Sequence, residues 1–168
     1  MITVHDLEIE KMVKNTFDNI KKEMVLDFIY FLKENEMEFE RGKGYWKNQY
    51  YYMVKYKDNY VCFILLNGTG DEQSCRPLTI WSDDSGSKWY EDFPLSKQES
   101  ELVWKHVDYC VNCGACAGGR NKRILGKDFD NVCRTTLRFI NPDKEVLNLI
   151  KKLVTIRKND ILKKNNSY

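Results

Sequence analysis

Long apolar runs are missing from this chain of 168 residues. The longest, such as residues 61–66, fall far short of the roughly 20 residues that a bilayer-spanning helix needs, so no membrane span is expected. The opening Met1-Ile2-Thr3-Val4-His5-Asp6 lacks a basic stretch followed by an apolar one, so no secretory leader is expected either. That makes a reducing cytoplasm the expected compartment. There, six cysteines are more naturally metal ligands or free thiols than a disulfide framework. Gly-x-Ser-x-Gly and His-Glu-x-x-His are both absent. The carboxylates of Asp83-Asp84 and Glu91-Asp92 fall in loops without a spacing that suggests acid–base pairing. The residues thus give no sign of hydrolysis, and whether the chain is an enzyme stays open. Internal repeats and linkers are also lacking, which leaves a single domain as the reading.

Hydrophobic residues make up 42% and charged residues 31%, a balance that folds. The net charge of +2 is unevenly spread: residues 117–168 hold thirteen Lys and Arg against five Asp and Glu. A basic end of this kind can attract nucleic acid. It can equally be the solvated face of a helix.

Periodicity separates the elements. Ile9, Met12, Val13, Phe17, Ile20, Met24, Phe28, Phe31 and Leu32 recur at steps of three and four, which predicts a helix that breaks near Asn15-Thr16 and stops by Asn35. From Met37 the period becomes two. Strands are predicted near Met37 and Phe39, over 45–56, over 60–66 and over 78–81, joined by turns at Gly42-Lys43-Gly44 and Lys57-Asp58-Asn59. Ser96-Lys97-Gln98-Glu99 is a capping box that opens a helix to about His106. Extended stretches follow at 122–125 and 132–140. Asn141-Pro142 reads as the start of a closing helix whose apolar face is Val146, Leu149, Ile150, Leu153 and Val154. The expected fold is α+β: one domain over 1–162, an antiparallel sheet with N-terminal and C-terminal helices packed mainly on one face, and a loose tail at 163–168.

The chemistry is concentrated within residues 108–133. Cys110-x-x-Cys113-x-x-Cys116 is followed, sixteen residues on, by Cys133. Cysteines two residues apart can hold one ion from one short turn. Gly114, Gly118 and Gly119 let backbone N–H groups turn toward a charged centre. Three occupancies fit: Zn(II) on four thiolates, slightly favoured over a [4Fe–4S] cluster, and free or redox-active thiols without metal. The run Cys110-x-x-Cys113-Gly114-x-Cys116 resembles the cluster loop of bacterial ferredoxins. In that loop, however, the fourth cysteine precedes Pro, and here Cys133 precedes Arg134. His106 lies four residues before Cys110 and would serve either as a ligand or as a helix-end cation. Cys62 reads as a core residue and Cys75 as a spare thiol.

Aromatic side chains make up 13% of the chain: ten Tyr, eight Phe and four Trp. That is more than a sheet of this size needs for its core. Tyr50, Tyr52, Trp81 and Trp89 are the candidates for lining a cleft that takes a small flat apolar or cationic ligand. Ordinary packing of aromatic strands is the competing expectation.

The segment Asp108-Tyr109-Cys110-Val111-Asn112-Cys113-Gly114, with Ile124-Leu125-Gly126-Lys127-Asp128-Phe129-Asp130-Asn131-Val132-Cys133, resembles a family of uncharacterised small cysteine-containing proteins from low-GC anaerobic bacteria. The order of elements resembles, at the level of fold only, domains of the effector-binding type. Neither resemblance implies an activity. The expectation is therefore a non-catalytic cytoplasmic protein with a four-cysteine metal site and an aromatic ligand cleft. A redox protein is the alternative, and a nucleic-acid-binding module that uses the basic end is a third reading.

Overall fold

The computed structural model describes residues 4–43, 50–66, 78–82, 88, 90–91, 93 and 95–166. The predicted N-terminal helix is a pair. Helix α1 (Val4–Thr16) buries Ile9 and Val13, and α2 (Asn19–Glu34) buries Val25, Phe28, Ile29 and Leu32. The break comes just after the predicted Asn15-Thr16, because Asp18 has the side chain to cap α2: its carboxylate accepts the Lys21 N–H at 3.2 Å.

Among the described residues seven strands follow, interrupted by a third helix: β1 (Glu38–Arg41), β2 (Tyr50–Tyr56), β3 (Asn59–Leu66), β4 (Leu78–Ser82), α3 (Lys97–Trp104), β5 (Val107–Tyr109), β6 (Arg120–Ile124) and β7 (Lys127–Ile140). Helix α4 (Lys144–Asn165) closes the chain. All strand pairs are antiparallel, in the order β1-β2-β3-β4-β7-β5, and β6 also pairs with β7. Lys57 and Asp58 both take left-handed backbone angles, as a two-residue hairpin turn between β2 and β3 requires. The expected α+β fold with helices at both ends is observed.

Register explains which side chains go where. Tyr52, Ile64, Ile80 and Phe139 stand opposite one another across β2, β3, β4 and β7, and each is at most 1% exposed. This row meets the helices in the main core, with Phe28, Leu32, Ile150 and Leu153. The neighbouring row, Met53–Phe63–Trp81–Arg138, faces the other way. There Phe63, Leu65 and Trp81 form a second, smaller apolar cluster, flanked by Tyr51, Met53 and Tyr60.

Several boundaries differ from expectation. The short strand β5 went unpredicted, because three residues cannot establish a period. The closing helix is capped by Asp143, whose carboxylate accepts the Val146 N–H at 2.9 Å, and not by Asn141, which turns the chain with a φ of 47°. That helix runs to Asn165, so residues 163–165 belong to it; buried Ile161 and the packed Leu162 hold its last turns. The capping box at Ser96 and Glu99 is present as expected, but α3 ends at Trp104. Tyr45, Trp46, Cys75 and Trp89 lie outside the described residues.

Candidate functional site

Val132, fully buried in β7, is flanked by Tyr109 of β5 on one side and Arg120 of β6 on the other. Both partners are reached within one stretch of chain, so residues 110–119 have to cross β7 at that level. The crossing brings the cysteine loop to the neighbourhood of Cys133. Gly119 completes it in a place with no room for a side chain: an added Cβ would meet Asn131 Oδ1 at 2.2 Å and Cys110 Cβ at 2.8 Å. Hydrogen bonds from the Cys110 N–H to the Asn131 carbonyl (2.8 Å), and from the Asn131 side-chain amide to the Cys110 carbonyl (3.2 Å), fasten the loop's first residue to β7.

Immediately beyond Val132 the strand bulges. Tyr109 is opposite Val132 and Val107 is opposite Leu137, so two steps on β5 span five on β7. The extra length puts Cys133, Arg134, Thr135 and Thr136 out of regular pairing. A bulge of this kind re-aims side chains away from the ladder. Thr136 is buried with a φ of 63°, an unusual angle for a β-branched residue. Lys122 compensates for the lost pairing, its ammonium donating to the carbonyls of Cys133 and Arg134, both at 3.2 Å, and to the Thr136 hydroxyl at 2.5 Å.

The bulge, the crossing loop and the outer face of the sheet enclose a groove of about 340 Å³. Tyr51, Phe63 and Trp81 give it an aromatic wall. Tyr51 and Phe63 are stacked with centroids 6.0 Å apart, and Tyr51 meets Trp81 edge-on at 6.3 Å. The bulge contributes Cys133, Arg134 and Thr135, the loop Cys113, Ala115 and Cys116, and β5 Asp108. Arg138 lies over the Trp81 ring at 5.3 Å and 3.8 Å from the Asp108 carboxylate, which also accepts the Thr135 hydroxyl at 2.6 Å.

The groove thus joins both features singled out in the sequence. Three of the four candidate ligands, Cys113, Cys116 and Cys133, line it, and each is a free thiol, as is Cys110. Cys113 is exposed and the other three are half-buried. Cys110 Sγ accepts the Asn112 backbone N–H at 3.4 Å, and the left-handed angles of Asn112 and Gly114 shape the turn between the sulfurs. Among the described residues, no group of three or more His, Cys, Asp or Glu side chains is placed to hold a metal ion. Cys110 stands outside the lining.

The candidate aromatic residues divide. Trp81 lines the groove. Tyr52 points the opposite way, into the core, where burial raises its phenol far above the usual range. Tyr50 packs against that same core, and Trp89 lies outside the described residues. The groove instead uses Tyr51 and Phe63, a shift of one residue along β2. In the run Tyr50-Tyr51-Tyr52 identity cannot reveal the face, and only register does so. Arg138 and Asp108 carried no sequence signal at all.

The His106 side chain does not line the groove, although its carbonyl accepts the Arg138 N–H at 2.8 Å. Its ring packs on Phe139 with centroids 4.8 Å apart, and burial lowers its pKa. Cys62 is a core residue, 2% exposed. At the basic C-terminal end, Lys151 pairs with Asp27, Lys152 with Glu99, Lys158 with Glu36 and Lys164 with Asp160. These cations neutralise the protein's own carboxylates. Among the described residues, no helix is long and apolar enough to cross a membrane.

Comparison with known proteins returned no match: no family model, no curated protein and no solved structure resembles the chain.

Proposed function

We propose that this chain is a non-catalytic metal-binding protein in which Cys110, Cys113, Cys116 and Cys133 are the ligands and the adjoining aromatic groove is a ligand cleft. One observation carries the reading: the loop with the first three cysteines crosses β7 beside the fourth, so that Cys113, Cys116 and Cys133 line one groove. Four thiolates suit tetrahedral Zn(II) with sulfur contacts of about 2.3 Å. The ion would itself draw the sulfurs inward. A [4Fe–4S] cluster would use the same four sulfurs.

The test is titration of reduced, metal-free protein with Co(II) under anaerobic conditions. The reading expects the sulfur-to-metal charge-transfer and ligand-field bands of a tetrahedral thiolate site, their displacement by Zn(II), and loss of the signal in Cys113→Ser. Absence of bands, with all four thiols still reactive toward a disulfide reagent in excess zinc, would overturn it. Anaerobic purification decides the metal, because an iron–sulfur protein emerges brown and a zinc protein colourless.

A thiol redox protein is the second reading, favoured by the spacing of the sulfurs around the groove without a shared centre. Two thiols would then give up two protons and two electrons to an oxidant and form one disulfide. Reversible loss of two hydrogens, mapped to a pair among the four cysteines and blocked by no metal, would select it.

A further inference from the structure

The charge of the groove indicates what its cleft accepts. An aromatic wall alone suits flat apolar molecules and cations equally. Here, however, the charged side chains that line it, among the described residues, are Arg134, Arg138 and Asp108, two guanidinium groups against one carboxylate. The carboxylate is already engaged by the Thr135 hydroxyl and by Arg138. Arg138 lies over the ring of Trp81, its partner in register, and this contact restrains the guanidinium before any ligand arrives. An incoming anion would be met by both guanidinium groups, whereas a cation would meet two like charges.

We propose that the groove binds a flat aromatic anion, its ring system against the wall of Tyr51, Phe63 and Trp81 and its carboxylate or other anionic group on Arg138 and Arg134. The groove's volume, about 340 Å³, is at the small end of the range for small-molecule sites, which fits one or two fused rings with a single anionic group. This inference deepens the cleft half of the proposed function and needs no metal on the cysteines. The arginines would also be suitable countercharges for a thiolate–metal centre, so the decisive measurement is made without one.

Three probes share one ring system and carry substituents of different charge: 2-naphthoate, neutral 2-naphthamide and cationic 2-naphthylmethylammonium. Each is titrated by calorimetry into the full-length, reduced, metal-free protein. Naphthoate should bind at least about tenfold more tightly than either of the others, the scale of one charge-assisted contact. Arg138→Gln and Arg134→Gln should each reduce the preference for naphthoate over the amide. Asp108→Asn should tighten naphthoate by removing a like charge. Because Arg138 also packs on Trp81, the exposed Arg134 and the Asp108 variant keep the test valid if Arg138→Gln does not fold. Equal affinity for all three probes, preference for the ammonium, binding of none of them, or indifference of naphthoate to Arg134 and Asp108 together would each overturn the proposal. Repeating the titration after zinc addition keeps the two readings apart: a failed metal site leaves the naphthoate preference intact, and a failed preference leaves the cobalt bands intact.

Discussion

Lys122 donates to the Thr136 hydroxyl at 2.5 Å, and the same ammonium spans the carbonyls of Cys133 and Arg134. One side chain on β6 therefore supports the whole irregular stretch of β7 that floors the groove. An ammonium has three donors, and this one has at least three acceptors, in a place where the strand has lost its own partners. Lys122→Met should destabilise the protein by about 1–3 kcal/mol, the scale of polar groups left unsatisfied. Denaturant unfolding measures the loss. Amide exchange should quicken at residues 133–136 before it does in the rest of β7; uniform protection along the strand would contradict this role.

Gly119 makes the crossing of β7 sterically feasible. Gly119→Ala pushes a methyl group into Asn131 and Cys110, and the backbone of Asn131 is only 2.9 Å from the added atom. Overpacking of this kind typically costs about 1–3 kcal/mol. Because the clash falls on Cys110, the substitution should also loosen the loop and speed modification of that thiol by a disulfide reagent. An unchanged rate, with unchanged stability, would show that the chain can cross by another path.

His106 predicts a dependence on acid. Burial beside Phe139 disfavours its charged form, so its folded pKa lies below the ordinary value of 6.5. Below 6.5 the unfolded chain takes up this proton more readily than the folded one. The contribution is therefore fully present above 6.5 and is lost as the pH falls from there toward the lowered folded value. His106→Phe should flatten the stability profile across that window. Melting at pH 5 and at pH 7 for both proteins tests it, and an identical acid loss in the variant would assign the effect elsewhere.

The capping box of α3 gives a simpler prediction. Ser96 Oγ accepts the Glu99 N–H at 3.2 Å, and the Glu99 carboxylate accepts the Ser96 N–H at 3.0 Å. Lys152 of α4 bonds the same carboxylate; with the Ser96 contacts it holds Glu99 below the usual carboxylate range. Ser96→Ala should cost about 0.5–2 kcal/mol by thermal or denaturant melting. Restoration of most of that loss by Ser96→Asp would identify the cap, and not packing, as the cause.

Much of this molecule could be read from local pattern. Steps of three and four from Ile9 to Leu32, the alternation around Lys57-Asp58, and Ser96 three residues before Glu99 each specify structure through neighbours close in the chain. The four cysteines were visible for the same reason, as a spacing. Elsewhere, local pattern ran out. Three consecutive tyrosines, Tyr50, Tyr51 and Tyr52, cannot declare which face each takes; pairing with β3 sends Tyr52 to the core and leaves Tyr51 beside Phe63 and Trp81. The crossing of β7, the bulge after Val132 and the placing of Arg138 on Trp81 depend on strands far apart in sequence. Long-range pairing decides them, because a strand's partners set its register and register sets every side chain's direction. Composition and spacing were enough to show that this chain carries an α+β fold and a cluster of thiols. Only the tertiary structure brought the thiols, the aromatic wall and two guanidinium groups into one groove.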